Sequence, residues 1–167
     1  MLEIISKKTK QLKKNEVMDI IKLKETHWNY GINSQLNWFK NYVNEKDIHN
    51  LLLFNGELIG YTLLRSRRVI SKKYRKYLYF DTLILKKEFR KKKYSTKLMK
   101  FNNSIIKKNK KMSFLITLKK LKKYYLKHEW KELNKKNFKI CDHNQAKIGM
   151  VYNNLNKINN FKFFLYE

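Results

Sequence analysis

Proline is absent from the 167 residues, cysteine occurs once and glycine four times. Alanine stands only at Ala146, and arginine only at Arg65, Arg67, Arg68, Arg75 and Arg90. The single cysteine, Cys141, excludes an internal disulfide and any cysteine-based metal cluster, and the four histidines show no ligand spacing, so no metal is expected. There is no run of about 18 consecutive apolar residues, and residues 1–7 lack the apolar centre and small-residue cleavage site of a signal peptide. A cytoplasmic protein without a membrane segment is therefore expected. Acidic residues are also scarce, 13 against 40 Lys and Arg, which gives a formal charge of +27. Such a charge suggests a nucleic-acid partner, because lysines release counterions on meeting phosphates. The composition offers a plainer cause: the abundant Lys, Asn, Ile, Phe and Tyr have A/T-rich codons and the scarce residues G/C-rich ones, so a genome of low G+C content yields this bias regardless of function. Lysine is spread along the whole chain rather than gathered in one patch, which fits solvated faces, and no specific nucleic-acid partner is expected.

What is present is material for a core, 43% hydrophobic and 14% aromatic residues, enough for a single domain over residues 1–167. The chain is organised around residues 78–108. Leu78-Tyr79-Phe80-Asp81-Thr82-Leu83-Ile84-Leu85 reads as a strand buried on both faces, interrupted by one carboxylate, Asp81. Strict alternation puts Asp81 on one face with Tyr79, Leu83 and Leu85. A helix follows, with Tyr94, Leu98, Phe101 and Ile105 as its buried stripe and Lys97, Lys100 and Lys107 outside. Between strand and helix, Arg90-Lys91-Lys92-Lys93-Tyr94-Ser95 brings four cations to a helix start, where they oppose the helix dipole unless an anion sits among them. Backbone N–H groups and cations together make a phosphate site.

Elsewhere, residues 2–5 form a strand and residues 15–26 an amphipathic helix capped by Asn15 and carrying Val17, Ile20, Ile21 and Leu23-Lys24. A second helix starts with Ser34 as cap, and Trp28, Tyr30 and Trp38 around the junction read as packing residues. Strands 48–54 and 58–64 make a hairpin through Asn55-Gly56-Glu57, with the Asn-Gly signal of positive φ. Gly60 within the second of these marks a bulge or close packing. Residues 112–118 form a strand that runs parallel to the one containing Asp81, and 119–128 a short helix. Residues 138–141 and 161–165 close the chain as a hairpin with a long Asn-rich connection; Met150-Val151-Tyr152 within it has no assigned place. Cys141, with no histidine set to activate it, reads as a core residue, although His143 is near in sequence.

The segment Arg90 to Ser95, after the strand end Leu83-Ile84-Leu85, resembles motif A of the GNAT acetyltransferases, Arg/Gln-x-x-Gly-x-Gly/Ala at a helix start. Lys93 and Ser95 stand where that family prefers glycine, which lets the backbone approach phosphate closely. Tyr124-Tyr125-Leu126-Lys127-His128-Glu129-Trp130 is similar to a second signature, Phe-Tyr-x-x-x-Gly-Phe, with Glu129 in place of the glycine. Many members carry an asparagine seven residues before the tyrosine; that position is Leu118. The resemblance implies an α/β fold with a mixed sheet, in the order β-α-α-β-β-β-α-β-α-β-β, and acetyl-coenzyme A as acetyl donor. It implies that Leu83, Ile84 and Leu85 bind the pantetheine amides through their backbone and polarise the thioester. Arg90, Lys91, Lys92, Lys93, Tyr94 and Ser95 would hold the pyrophosphate, and Tyr125 would donate a proton to the departing thiolate. Asp81 is the candidate base toward the acceptor amine, or else the partner of Arg65, Arg67 or Lys76 in an ion pair. The implied activity is N-acetylation of a primary amine on a small molecule, an amino sugar or metabolite, with a protein N-terminus or lysine left open. A domain of this fold without catalysis and a basic RNA- or ribosome-associated protein are the alternatives, and many relatives are homodimers.

Overall fold

The computed structural model describes residues 1–69, 75–90, 92–140, 147–153 and 163–165; Lys91, Cys141 and His143 lie outside them. In chain order the elements are β1 (Leu2–Lys8), α1 (Lys14–Glu25), α2 (Ile32–Tyr42), β2 (Ile48–Phe54), β3 (Glu57–Val69), β4 (Arg75–Leu85), α3 (Tyr94–Lys108), β5 (Ser113–Leu118), α4 (Lys122–Leu126), β6 (Lys131–Glu132), β7 (Phe138–Ile140), β8 (Lys147–Tyr152) and β9 (Phe163–Leu165). A seven-stranded mixed sheet has the order β1-β2-β3-β4-β5-β8-β6. This follows the expected order through α4. The chain forms two compact units, residues 1–65 with 81–102 and residues 66–80 with 103–167, so β3, β4 and α3 each contribute to both.

In the first unit, β1 pairs antiparallel with β2 from Leu2↔Phe54 to Lys8↔Ile48. The β2–β3 hairpin turns on Asn55 and Gly56, whose φ values of 49° and 81° are those a two-residue primed turn requires. Its register slips once, Leu52↔Gly60 being followed by Leu53↔Leu58, so Ile59 is the extra residue of a bulge. Gly60 is there for close packing: a Cβ on it would lie 2.5 Å from Leu85 Cδ2. One sheet face carries Leu51, Tyr61, Leu63 and Ile84 against Ile20 and Leu23 of α1, with Trp28 and Trp38 packed beside them. Leu52, Ile59 and Leu85 pack with Leu98 of α3 in a second cluster. Tyr30 takes no part in this packing and is 71% exposed.

Both helix caps differ from expectation. The first helix starts at Lys14 rather than after Asn15, because the Glu16 carboxylate accepts the Lys13 backbone N–H at 2.8 Å and the Lys7 ammonium at 2.6 Å. The second starts at Ile32, two residues before Ser34, where Gly31 at φ 86° turns the chain and donates its N–H to Glu25 Oε1 at 2.9 Å. In α3 the buried face is also rotated from the expected stripe: Leu98, Met99, Asn102, Asn103 and Ile106 are buried, whereas Tyr94, Phe101 and Ile105 are partly exposed. Two asparagines sit in that face because each has partners. Asn102 Oδ1 accepts from Asn50 Nδ2 at 3.0 Å and from Thr62 Oγ1 at 2.9 Å.

In the second unit, the parallel β4–β5 ladder consists of Leu78↔Ser113 and Tyr79↔Phe114. From Ser113 to Leu118, β5 pairs antiparallel with β8. Strand β8 contains Met150, Val151 and Tyr152, which the sequence left unassigned; Gly149 within it lets Phe114 and Phe138 pack close, each 2.9 Å from where a Cβ would stand. Tyr77, Tyr79, Phe114 and Val151 form the core here. The expected closing hairpin is not formed: β7 and β9 run parallel to each other in a separate two-stranded sheet, and the long connection supplies β8 to the main one. No helix among the described residues is long and apolar enough to cross a membrane.

Candidate active site

Strand β4 ends in a short turn, Lys87–Phe89, before the basic segment and α3. Arg90 folds back on the strand end, its Nε donating to the Leu85 carbonyl at 3.2 Å. Phe89 packs between Phe54, 5.7 Å away, and Tyr94, 6.1 Å away, and Lys92 lies 5.5 Å from the Phe89 ring. Lys92 and Lys93 are exposed, and Tyr94 and Ser95 half-buried. The helix begins after Lys93, whose carbonyl accepts the Lys97 N–H at 3.1 Å, so the cations precede its first turn rather than filling it.

Lys93 has φ 58°. That is the left-handed region which glycine enters freely and a lysine enters at a cost of roughly 1–2 kcal/mol. Glycine is missing at this position of the sequence, and the backbone takes a conformation that favours glycine. The same holds at the second signature, where Glu129 has φ 66°. There the Trp130 N–H reaches the Tyr125 carbonyl at 3.2 Å and the Glu129 N–H the Leu126 carbonyl at 3.1 Å, the paired bonds of a Schellman helix end. The ring contact that accompanies such an end is present, with Tyr125 and Trp130 6.2 Å apart. The turn at Glu129 therefore bears strain rather than a different path.

Tyr125 lies on α4 and is 8% exposed. Phe80 meets it edge-on at 6.4 Å, and Trp130 is fixed in turn by Asn103, which accepts its Nε1–H at 3.1 Å and donates to the His128 carbonyl at 3.0 Å. Burial pushes the Tyr125 phenol well above its ordinary 10.0, with Tyr124 adding to the effect and a hydrogen bond with Thr117 opposing it. The hydroxyl is thus neutral at any working pH, and it is fitted to act as a hydrogen-bond donor.

Asp81 is held by Arg65, Nη1 to Oδ2 at 2.6 Å, and Thr82 Oγ1 donates to its Oδ1 at 3.0 Å. Of the three ion-pair partners considered, Arg65 is the one observed. Asp81 does not share a face with Leu83 and Leu85. Arg65 lies 5.1 Å from the Trp38 ring, and Trp38 packs with the cluster containing Ile84 and α1, whereas Leu83 and Leu85 belong with Leu98 of α3. Residues three apart in a regular strand face opposite ways, so Asp81 and Ile84 on one side mean that the alternation is broken between them.

Three buried groups near Asp81 escaped the sequence reading. Lys24 is 6% exposed, with its ammonium 3.8 Å from the Trp38 ring centre. Burial lowers its pKa and Arg65 lowers it further, while Asp81 acts in the opposite sense. Tyr61 is 1% exposed and receives a hydrogen bond from, or gives one to, His49 Nδ1 at 2.7 Å; the other ring nitrogen, Nε2, is 2.8 Å from Thr9 Oγ1. Burial drives His49 from 6.5 down to about 4 and raises Tyr61 well above 10.0, the latter reinforced by Asp81 and Asp47. Helical spacing places Lys24 on the buried side of α1, which is the one signal the sequence offers for any of them.

The sheet order and the helices define the fold of the GNAT N-acetyltransferases. Escherichia coli ElaA is similar at a TM-score of 0.69 and 15% identity, over 90% of this chain and 99% of that one. An aminoglycoside 6'-N-acetyltransferase solved with coenzyme A gives 0.66 and 14%, over 89% and 96%. The ribosomal-protein-S18-alanine N-acetyltransferase from Escherichia coli gives 0.62 and 9%, over 90% and 91%. No family model matches the sequence, and no curated protein matches it.

Proposed function

We propose that this chain is an acetyl-coenzyme A-dependent N-acetyltransferase acting on a primary amine of a small molecule. The observation that carries the reading is the left-handed backbone at Lys93 and Glu129, φ 58° and 66°, at the two positions where the family signatures use glycine. In this reading the N–H groups from Lys93 to Ser95, with Arg90 and the neighbouring lysines, hold the pyrophosphate. Backbone N–H groups of Leu83, Ile84 and Leu85 bind the pantetheine amides and polarise the thioester carbonyl, an oxyanion-type stabilisation. The amine nitrogen, once neutral, attacks that carbonyl; a C–N bond forms, the C–S bond breaks, the nitrogen loses a proton and the thiolate leaves. Tyr125 donates a hydrogen bond to the departing sulfur. Asp81, its charge balanced by Arg65, attracts and orients the ammonium form and takes up its proton through water.

Tyr125→Phe tests the assignment. Turnover should fall about 100-fold with coenzyme affinity unchanged. Weakened coenzyme binding at unchanged turnover would remove Tyr125 from the acid role.

A further inference from the structure

Lys24, Arg65, Asp81 and Trp38 form a cluster with two cations and one carboxylate. Arg65 satisfies Asp81 at 2.6 Å, and its Nη2 donates to the Tyr42 carbonyl at 3.0 Å. Two donors are then left over. The Nε of Arg65 is buried without a hydrogen-bond partner. The Lys24 ammonium, on a residue 6% exposed, makes no hydrogen bond among the described residues and rests on the Trp38 ring at 3.8 Å; unlike Arg65 Nε it keeps some contact with solvent. Leaving a buried donor unpaired costs about 1–3 kcal/mol, and more for a charged one. Both donors belong to side chains packed on the same indole, which lies 3.8 Å from one and 5.1 Å from the other. What the cluster lacks is an acceptor group with negative charge.

We propose that Lys24 and Arg65, beside Trp38, bind a small oxyanion, a carboxylate or a phosphate, carried by the amine substrate. The inference rests on the transferase reading for the amine but not for the anion. A substrate with both groups would set its ammonium toward Asp81 and its oxyanion toward the two cations, matching charge to charge, whereas a polycationic amine would meet net repulsion. Lys24 is thereby a specificity-determining residue: it selects the acceptor and takes no part in the acetyl transfer.

The test has two arms. In the first, N-acetylglycine and inorganic phosphate are titrated at fixed ionic strength while tryptophan fluorescence is followed, in the wild type and in Lys24→Met and Lys24→Gln, with Trp38→Phe to assign the signal. Saturable binding weakened on the order of 10- to 100-fold by loss of the ammonium supports the site. Binding that is absent, or equal in all variants, overturns it. In the second arm, release of coenzyme A is measured with matched acceptors, phenylalanine against phenethylamine and glucosamine 6-phosphate against glucosamine. The anionic member should have a KM about 10-fold lower or better in the wild type and lose that advantage in Lys24→Met. The pair that shows the effect tells carboxylate from phosphate. Turnover without preference for either anionic member refutes the anion site while leaving the transferase reading intact; failure of acetyl-coenzyme A to bind refutes that reading by itself.

Discussion

Replacing Lys93 by glycine should stabilise the protein relative to Lys93→Ala, and the difference isolates the backbone from the charge. At φ 58° both lysine and alanine carry the left-handed penalty, roughly 1–2 kcal/mol, and glycine carries none. Glycine gives back about 0.4–1 kcal/mol through the greater freedom of the unfolded chain. The net expectation is that the glycine variant is more stable than the alanine variant by about 0.5–1 kcal/mol. With a urea dependence of about 2 kcal/mol per molar, the unfolding midpoint should move up by about 0.3–0.5 M. Coenzyme affinity gives the second readout: both variants lose the same charge, so the glycine variant should bind acetyl-coenzyme A at least as tightly as the alanine one. A glycine variant no more stable than the alanine variant would mean that Lys93 pays no backbone penalty, and the main support for a phosphate-binding turn would go with it.

Gly60→Ala should destabilise the protein by about 1 kcal/mol and weaken coenzyme binding, because the new methyl group would lie 2.5 Å from Leu85 Cδ2 and push on the strand end beside the turn; unchanged unfolding and binding curves would contradict this. His49, neutral when folded, sets an acid limit. The unfolded chain takes up a proton below 6.5 and the folded chain only near 4, so stability should fall as pH drops through that window, by about 3 kcal/mol in all, and His49→Gln should flatten the fall in a urea series at pH 7 and pH 4.5. Because burial raises Tyr125 above 10.0, the pH–rate profile should show no alkaline loss from this phenol below that value; a basic limb removed by Tyr125→Phe would contradict it.

Strand β4, the basic turn and the hairpin were legible because each has a local signal: a continuous apolar run, clustered cations before a helical period, and Asn-Gly at a turn. Arg65 was among the three partners the sequence offered for Asp81, but the face on which Asp81 lies was not legible, since it depends on which helices pack on either side of β4. Asn102 and Asn103 had no place in the sequence analysis, because Asn50, Thr62 and Trp130, which supply their hydrogen bonds, are distant in sequence. Strand β8 was hidden in an Asn-rich stretch because its pairing with β5 and β6, rather than its composition, makes it a strand. At Lys93 and Glu129 the sequence reports that glycine is missing. It does not report that the backbone at both is left-handed, a conformation that favours glycine.

Calorimetric titration with acetyl-coenzyme A and desulfo-coenzyme A, at two salt concentrations and with a short RNA as control, tests the transferase reading most directly. One-to-one, micromolar binding that survives added salt is the predicted result. Binding of RNA alone, or coenzyme binding that disappears with salt as any polyanion's would on a chain of +27, would contradict it.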